Sequence, residues 1–247
     1  MLAEAHHSLH TLENDHFWYV GARAVYRTLL TLGLGKNHSP VRMLEVGCGS
    51  GGNFDLLGNY GPTVGVEVSS LALSLIAQPP ALGLVQASAD ALPFAAGSFE
   101  GVALFGLIEH MPDDVAALQE ARRVCHSRGC VALLTSAFPF LWSHHDEANL
   151  HQRRYYRREL VQKLTTSGLH PLRVSFQNFF TFLPVWTARW WQRRSPRPPE
   201  YDMGAPSRGV NALLTGLLRL EAWLIRWIAL PFGVDLVAVC RPLENHE

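Results

Sequence analysis

The feature that most constrains this chain is a glycine-dense turn that follows a short apolar run. Residues 43–52 read MLEVGCGSGG, so that Glu45 stands two positions before the first of four glycines. Glycine is needed where a backbone turns tightly and lets a ligand approach closely. A turn of this kind between a strand and a helix predicts backbone N–H groups that face an anionic ligand group. Glu45 indicates positive charge on the same ligand, such as a sulfonium or an amino group.

Two cofactor classes fit the glycine spacing. Gly47, Gly49 and Gly51 form a GxGxG pattern. With Gly52 in place of the third glycine, the segment also satisfies the GxGxxG pattern of dinucleotide sites. Glu67 ends the next apolar run and is suited to accept hydrogen bonds from ribose hydroxyls in either case. The pattern therefore predicts an adenine nucleoside cofactor. An NAD-dependent oxidoreductase stays open as an alternative, although the acid ahead of the turn would repel a pyrophosphate.

Composition limits the other classes of function. The chain has 247 residues, of which 48% are apolar, and this is enough for one sizeable core. Its 21 basic and 21 acidic residues balance, which argues against nucleic-acid binding through a basic surface. The four cysteines form no CxxC pair, and the first residues lack the pattern of a signal peptide. We therefore expect a cytoplasmic protein that binds no nucleic acid.

Apolar runs and helical spacing alternate along most of the chain. Strand candidates lie at 41–46, 63–67, 83–87, 101–105, 130–136, 172–177 and 234–240. Helical candidates lie at 2–35, 53–59, 70–77, 114–126 and 157–167, and Gly168 is a candidate C-cap. This alternation predicts an α/β fold with a mainly parallel sheet and helices on both faces. Ligands in such sheets bind beyond the carboxyl ends of the strands, where the glycine turn lies.

Residues 178–233 interrupt the alternation. The segment is aromatic, basic and proline-rich, and a helical run occupies about 210–230. One apolar stripe of that run is formed by Leu213, Leu217, Leu220, Leu224 and Ile228. Its uncharged stretches are too short to span a membrane. We expect a single domain: an N-terminal helical lid at 1–35, a core at 41–177 and 234–241, and an apolar helical insertion at 178–233.

Four segments together resemble a known family. They are the turn at 45–52, GVEVS at 65–69, ADALPFAAGSFE at 89–100 and LIEHMPD at 107–113. In this order and spacing they resemble the class I S-adenosylmethionine-dependent methyltransferases. The chain is most similar to the type 11-like group that includes enzymes of ubiquinone and menaquinone biosynthesis. The resemblance implies a Rossmann-like seven-stranded sheet with an antiparallel last strand, and S-adenosylmethionine as the cofactor.

The resemblance also implies roles for single residues. Glu45 would lie near the sulfonium and amino group, Glu67 would bind the ribose hydroxyls, and Val68 would pack on adenine. The implied cofactor-binding set is Glu45, Gly47, Cys48, Gly49, Gly51, Glu67, Val68, Ser88, Ala89 and Phe105. Ser88 departs from the family pattern, which has an acid at this position for the adenine amino group. A serine hydroxyl still forms hydrogen bonds.

Three histidines are candidates for handling the methyl acceptor. His110 follows the fourth predicted strand, and His145 and His151 lie in the polar loop that follows the fifth. A base assists when the acceptor is a hydroxyl, whereas the cofactor supplies the reactive methyl group. Related O-methyltransferases bind magnesium through Glu-x-x-Glu-His, but here Gly106 replaces the first acid and removes an oxygen ligand. We therefore predict no metal.

The flanking segments suggest how the acceptor is reached. His16, Phe17, Trp18, Tyr19 and Arg23 are predicted to cover the cofactor, with Arg23 near its carboxylate. The insertion predicts a lid for a hydrophobic or lipid-linked acceptor, peripheral contact at the inner face of a membrane through 178–231, or a dimer surface. A module that binds the cofactor without catalysis remains a further alternative.

Overall fold

The computed structural model describes residues 15–36, 39–194 and 206–243. Its centre is a seven-stranded sheet with the order β3-β2-β1-β4-β5-β7-β6. The strands are β1 (Met43–Val46), β2 (Thr63–Glu67), β3 (Leu84–Gln86), β4 (Phe99–Phe105), β5 (Cys125–Ser136), β6 (Leu169–Gln177) and β7 (Asp235–Pro242). Strands β1 to β5 pair in parallel, and β7 runs antiparallel to both β5 and β6. The predicted Rossmann-like sheet with an antiparallel last strand is confirmed.

Helices connect and surround the strands. They are α1 (Phe17–Leu34), α2 (Phe54–Gly58), α3 (Ser70–Ser74), α4 (Asp114–Val124), α5 (His144–Ala148), α6 (Arg157–Thr166), α7 (Phe182–Gln192) and α8 (Arg208–Ile225). Short 3₁₀ turns occupy Ile108–His110 and Pro139–Leu141. The predicted C-cap glycine after α6 is present, since Gly168 has φ +75° and its N–H donates to Thr165 O.

Several element limits differ from the sequence prediction. The helix expected over 2–35 begins at Phe17 in the described chain, and residues 2–14 lie outside the described residues. His16 caps it, because its ring nitrogen accepts a hydrogen bond from Trp18 N. Strand β5 begins five residues earlier than expected, at Cys125. This residue is the C-cap of α4 and already has an extended backbone (φ −76°, ψ 133°), so the strand follows the helix without a loop.

The segment between β6 and β7 packs on the N-terminal helix. A Cβ atom at Gly21 of α1 would lie 2.3 Å from Leu218 Cδ1 of α8, so the two helices approach closely at this glycine. Thr28 Oγ1 donates to Ala222 O at 3.0 Å across the same contact. The side chain of Asn211 accepts a hydrogen bond from Phe17 N at 2.8 Å, at the first turn of α1. Helix α8 therefore fixes the position of α1.

The apolar stripe predicted for the insertion is only partly buried, and its member Leu224 packs against the core. The buried residues of this helix are Leu218, Glu221, Ala222 and Ile225. Leu213 and Ile228 of the stripe are instead more than half exposed. Helix α8 is therefore apolar both where it packs on the core and where it meets solvent. Across the three described ranges, no helix combines the length and the hydropathy that a membrane crossing requires.

Candidate active site

A cavity of about 670 Å³ opens at the carboxyl ends of the parallel strands. One part, here called the glycine half, is lined by Glu45, Gly47, Cys48, Gly49 and Glu67. The other part, the histidine half, is lined by His110, His145, His151, Arg154 and Arg189. The loops that follow β1, β2, β4 and β5 supply most of these side chains because parallel strands end at one edge of the sheet.

The glycine turn is left-handed at two positions that line the cavity. Gly47 has φ +74° and Gly49 has φ +54°, and at Gly49 a Cβ atom would meet nothing within 4 Å. The N–H groups of Gly47 and Cys48 both donate to Val66 O, at 2.8 and 3.0 Å. The N–H of Gly49 donates to Glu67 Oε2 at 3.0 Å. In this structure the protein itself therefore accepts the hydrogen bonds of these three N–H groups, and their predicted contact with an anionic ligand group stays a prediction.

Two carboxylates give the glycine half its charge. Glu45 is buried at the end of β1, and its Oε1 accepts a hydrogen bond from Asn53 Nδ2 at 2.7 Å. Glu67 is fixed from both sides, because Ser69 N donates to Oε1 at 3.0 Å while Gly49 N donates to Oε2. Two carboxylates therefore lie beside a turn in which the N–H groups of three residues, 47 to 49, are already hydrogen-bonded within the protein. Such a site suits a cationic ligand group and repels a pyrophosphate.

The remaining predicted cofactor residues divide into two sets. Val68, Ser88 and Phe105 line the cavity, whereas Gly51 and Ala89 are absent from its lining. Gly51 instead packs against the ring of Phe54, where a Cβ atom would lie 2.8 Å from Cε2. This close contact and a φ of +88° explain the glycine without a ligand.

Two lining residues near this end were not in the predicted set. Asp90 lines the cavity beside Ser88, so an acid is present two positions after the departure from the family pattern. Tyr26 of α1 stacks on Phe105 with ring centroids 3.6 Å apart. Tyr26 lies well inside the N-terminal helix, and only the fold brings it to the strand end.

Helix α1 forms one wall of the cavity. Trp18, Tyr19 and Arg23 line it, whereas His16 and Phe17 are absent from the lining. Arg23 reaches the glycine turn, since its guanidinium donates to Gly52 O at 3.3 Å. The aromatic and basic side chains that line the cavity therefore lie on the inward-facing side of the first two turns of α1.

The three predicted histidines come together in the histidine half. The rings of His110 and His151 lie 4.6 Å apart, and those of His145 and His151 lie 6.3 Å apart. Burial, together with the neighbouring His151, lowers the pKa of His110 to about 3. Burial likewise lowers the pKa of His145 to about 3, assisted by the charge of Arg189. Both rings are therefore neutral at pH 7.

Asp146 is a buried carboxylate that contacts three of the side chains in the histidine half. It is fully buried, and its Oδ1 lies 2.9 Å from His151 Nδ1 and 2.6 Å from Arg154 Nε. Arg189 of α7 approaches Oδ2 at 3.6 Å. Burial alone would raise the pKa of Asp146, but the hydrogen bond from His151 and the two guanidinium charges outweigh it and hold the pKa well below its usual range.

The contact with Asp146 fixes the state of His151. An ionised carboxylate only accepts hydrogen bonds, so Nδ1 carries the proton and donates it to Asp146. In the neutral ring the lone pair is then on Nε2. A ring held in this way suits activation of a nucleophile or coordination of a metal.

Two further carboxyl groups border the histidine half. Glu109 Oε2 accepts a hydrogen bond from Thr135 Oγ1 at 2.9 Å, and burial raises the pKa of Glu109. Asp235 begins β7 and accepts a hydrogen bond from Asn178 Nδ2 at 2.7 Å. Burial also raises the pKa of Asp235, while the charge of Arg154 opposes the shift.

The polar loop that contains Asp146 and Arg154 was recognisable in the sequence, but the roles of Asp146 and Arg154 were not. The histidines around them were recognised because histidine in general is suited to proton transfer near pH 7, whereas an Asp and an Arg eight positions apart are common in any polar loop. Arg189 and Asp235 carry no local pattern at all. Only the packing of α7 and the antiparallel return of β7 bring them to the cavity.

Comparison with known proteins identifies a methyltransferase domain in this chain. A family model described as a methyltransferase domain matches residues 44–133. No curated protein shows significant sequence similarity to the chain. A chain in the complex of the Haloferax volcanii Trm112 methyltransferase activator is 17% identical, with a TM-score of 0.63 and coverage of 99% of this chain and 96% of that chain.

Other solved structures share the fold at similar distance. Geranyl diphosphate C-methyltransferase from Streptomyces coelicolor is 14% identical, with a TM-score of 0.56 and coverage of 88% of this chain and 78% of that chain. The cyclase SpnF is 15% identical, with a TM-score of 0.56 and coverage of 90% and 82%. At such identities the likeness establishes the fold alone.

The fold is that of the methyltransferase structures named above, and the carboxylate-flanked glycine turn resembles the turn of class I methyltransferases. The family match adds the methyltransferase domain over residues 44–133, which contains the turn, Glu67 and His110. The protein is an S-adenosylmethionine-dependent methyltransferase, and S-adenosylmethionine is its cofactor.

Proposed function

We propose that the protein methylates an oxygen or nitrogen atom of a small-molecule acceptor that binds in the histidine half. The observation that carries the proposal is the pair of His151 Nδ1 and Asp146 Oδ1, 2.9 Å apart in the cavity that also contains the glycine turn. Asp146 leaves a lone pair on Nε2 of His151, and this lone pair activates the acceptor nucleophile. His110 and His145 shape the same wall as neutral rings.

The glycine half holds the cofactor in this proposal. Glu45 attracts its positively charged end, Glu67 accepts hydrogen bonds from the ribose hydroxyls, and Val68 packs on adenine. Ser88 and Asp90 both line the cavity and offer oxygen atoms to the adenine amino group. When bound, the cofactor supplies the electrophilic methyl group. The protein's own part is to hold the acceptor in line with that group and to exclude water.

Transfer of labelled methyl from S-adenosylmethionine to metabolite and lipid extracts tests the activity. We expect the wild-type protein to label a defined acceptor, and His151→Asn to lower the rate by about 10²–10⁴-fold. His170→Asn, an exposed histidine on β6, is the matched control and keeps the full rate. A His151→Asn variant with wild-type turnover contradicts the role of His151, and absence of labelling in every fraction favours a binding module.

Calorimetry separates the two cofactor classes. We expect S-adenosylhomocysteine to bind and NAD to give no heat, because the turn presents carboxylates rather than unengaged N–H donors. Binding of NAD that S-adenosylhomocysteine fails to displace would contradict the assignment of the glycine half.

We further propose that the acceptor is hydrophobic or lipid-linked and is reached through α7. Arg189 of this helix lines the cavity, while Leu183, Trp190 and Trp191 on its other sides are 61%, 45% and 72% exposed. The ring of Trp190 also lies 3.7 Å from the Arg194 guanidinium carbon. Exposed tryptophan beside arginine is typical of helices that lie in a membrane interface. This part of 178–231 thus provides peripheral membrane contact next to the acceptor site.

Flotation with vesicles of phosphatidylcholine and phosphatidylglycerol tests this contact. We expect the protein to float, and the double variant Trp190→Ser, Trp191→Ser to float at least about tenfold less. Leu172→Ser, at an exposed apolar position on β6, is the control. Equal flotation of the two variants, or methylation of only water-soluble metabolites, contradicts the proposal.

We also propose that the whole chain forms one domain, with 178–233 as an integral part. The support is the contact of α8 with α1 through Leu218, Thr28 and Asn211. A single cooperative unfolding transition, measured by fluorescence and circular dichroism together, is the expected result. Two separate transitions would contradict it.

A further inference from the structure

Three side chains in the histidine half bring donor atoms together. Glu109, His110 and His151 each offer one ligand atom, and these atoms lie within 4.8 Å of one another. Two ligands that are each about 2.1 Å from a Zn²⁺ ion are at most about 4.2 Å apart. A small rotation of the side chains therefore closes the cluster around an ion. Gly106 stands where related enzymes have the first acid of the Glu-x-x-Glu-His pattern, so the local pattern indicated no site. The third ligand is instead His151, which comes from a different loop.

Two of the three donors are also held by a second group. Thr135 Oγ1 donates to Glu109 Oε2 at 2.9 Å, so Oε1 is the oxygen left to a ligand. Asp146 holds Nδ1 of His151 at 2.9 Å. Metal-binding histidines typically pass their other ring N–H to a carboxylate or a backbone carbonyl in this way. A histidine that only fills space needs no such partner.

We propose that Glu109, His110 and His151 bind one divalent first-row transition metal ion, such as Zn²⁺. Two imidazole nitrogens and one carboxylate oxygen suit such an ion, whereas Mg²⁺ requires a shell of oxygen ligands. Three protein ligands leave at least one coordination position for another molecule. The three residues all line the cavity, so this position belongs to the acceptor.

The inference deepens the proposed function and rests on it for the role of the ion. A bound ion would hold the nucleophilic atom of the acceptor in the histidine half and would lower its pKa. Because Nε2 of His151 would then be a ligand, activation of the acceptor would come from the ion instead of from the free lone pair. Acceptors that coordinate metal, such as a phenolate, an enolate or a catecholate, fit this site best.

Metal binding to the full-length protein tests the site directly. After dialysis against a chelator, the protein is titrated with Co²⁺, followed by visible absorption, and with Zn²⁺, followed by calorimetry. We expect one equivalent to bind. We expect Glu109→Gln and His110→Ala each to weaken the affinity at least about tenfold, as loss of a ligand does. His145→Ala is the matched control, since His145 lines the same cavity but lies outside the donor cluster.

A second measurement separates metal loss from misfolding. Affinity for S-adenosylhomocysteine stays within about twofold in Glu109→Gln and His110→Ala if the glycine half is intact. Absence of Co²⁺ binding, or equal affinity in these two variants and the wild type, overturns the metal site and leaves the methyl transfer standing. Full methyl transfer by metal-free protein overturns the role of the ion. Tight metal binding without methyl transfer to any acceptor overturns the proposed function and leaves the site.

Discussion

The two halves of the cavity are built in different ways. The glycine half comes from one short stretch at 45–53 together with Glu67 of the neighbouring strand, and backbone hydrogen bonds hold it. The histidine half combines residues from 109–110, 145–154 and α7, and a buried network of charges holds it. If the two halves bind the cofactor and the acceptor as proposed, the cofactor site is local in sequence, whereas the acceptor site beside it depends on the whole fold.

The largest expected effect tests whether charge holds the histidine half together. Asp146→Asn removes the carboxylate shared by His151, Arg154 and Arg189, and it leaves two buried guanidinium groups without their anion. We expect the free energy of unfolding to fall by about 3–5 kcal/mol, measured by urea denaturation.

The neighbouring acid is the control for that measurement. Glu147 forms an ion pair with the partly exposed His144, and Glu147→Gln should change the free energy of unfolding by less than about 1 kcal/mol. If both variants lose similar stability, the network does not hold this half.

The next effect concerns the glycine half, where we expect loss of binding rather than loss of stability. Glu67→Ala removes the acceptor for the ribose hydroxyls and the partner of Gly49 N and Ser69 N. Affinity for S-adenosylhomocysteine, measured by calorimetry, should fall by about 10–100-fold. Glu100→Ala, at an acid of β4 that lies outside the cavity, should leave the affinity unchanged. Unchanged affinity in Glu67→Ala would place the cofactor elsewhere.

The smallest expected effect is the contribution of His145, in the histidine half, to the pH dependence of the free energy of unfolding. The folded-state pKa of His145 is lowered to about 3 by burial, whereas the unfolded value is about 6.5. Below pH 6.5 the unfolded chain binds a proton at this residue and the folded protein does not. Stability is therefore lost as the pH falls from 6.5 toward 3, and His145 contributes about 1 kcal/mol of that loss by pH 5.5.

Urea denaturation at pH 7.5 and pH 5.5 measures this contribution. The difference between the two pH values should be smaller in His145→Gln than in the wild type, and it should be unchanged in the exposed control His170→Gln. An identical pH dependence in all three proteins would show that His145 is protonated as readily in the folded state as in the unfolded one.

The sequence was sufficient for the sheet and for much of the cavity lining. The alternation of strand runs with helical segments predicted the mainly parallel sheet, and the glycine turn follows directly from residue type. The three histidines were also recognised, because few other side chains take part in proton transfer near pH 7. Their places in the cavity agree with the prediction that they share one sheet edge.

What the sequence did not reveal depends on distant contacts. Arg189 meets Asp146 only because α7 packs beneath the loop after β5. The engagement of the turn's N–H groups depends on Val66 O, the carbonyl of an adjacent strand. Pairing across a sheet and packing of a helix from an insertion both join residues that have no fixed separation along the chain, so spacing carries no signal for them.

The close approach of α8 to Gly21 has a consequence for altering this enzyme. Asn211 and Leu218 anchor the helix that carries Trp18 and Arg23 to the cavity. The segment between the last two strands therefore cannot be exchanged by itself. Replacing or deleting it would displace α1, which forms a wall of the cavity from the opposite end of the chain. An exchange intended to alter the substrate must therefore include both α1 and this segment.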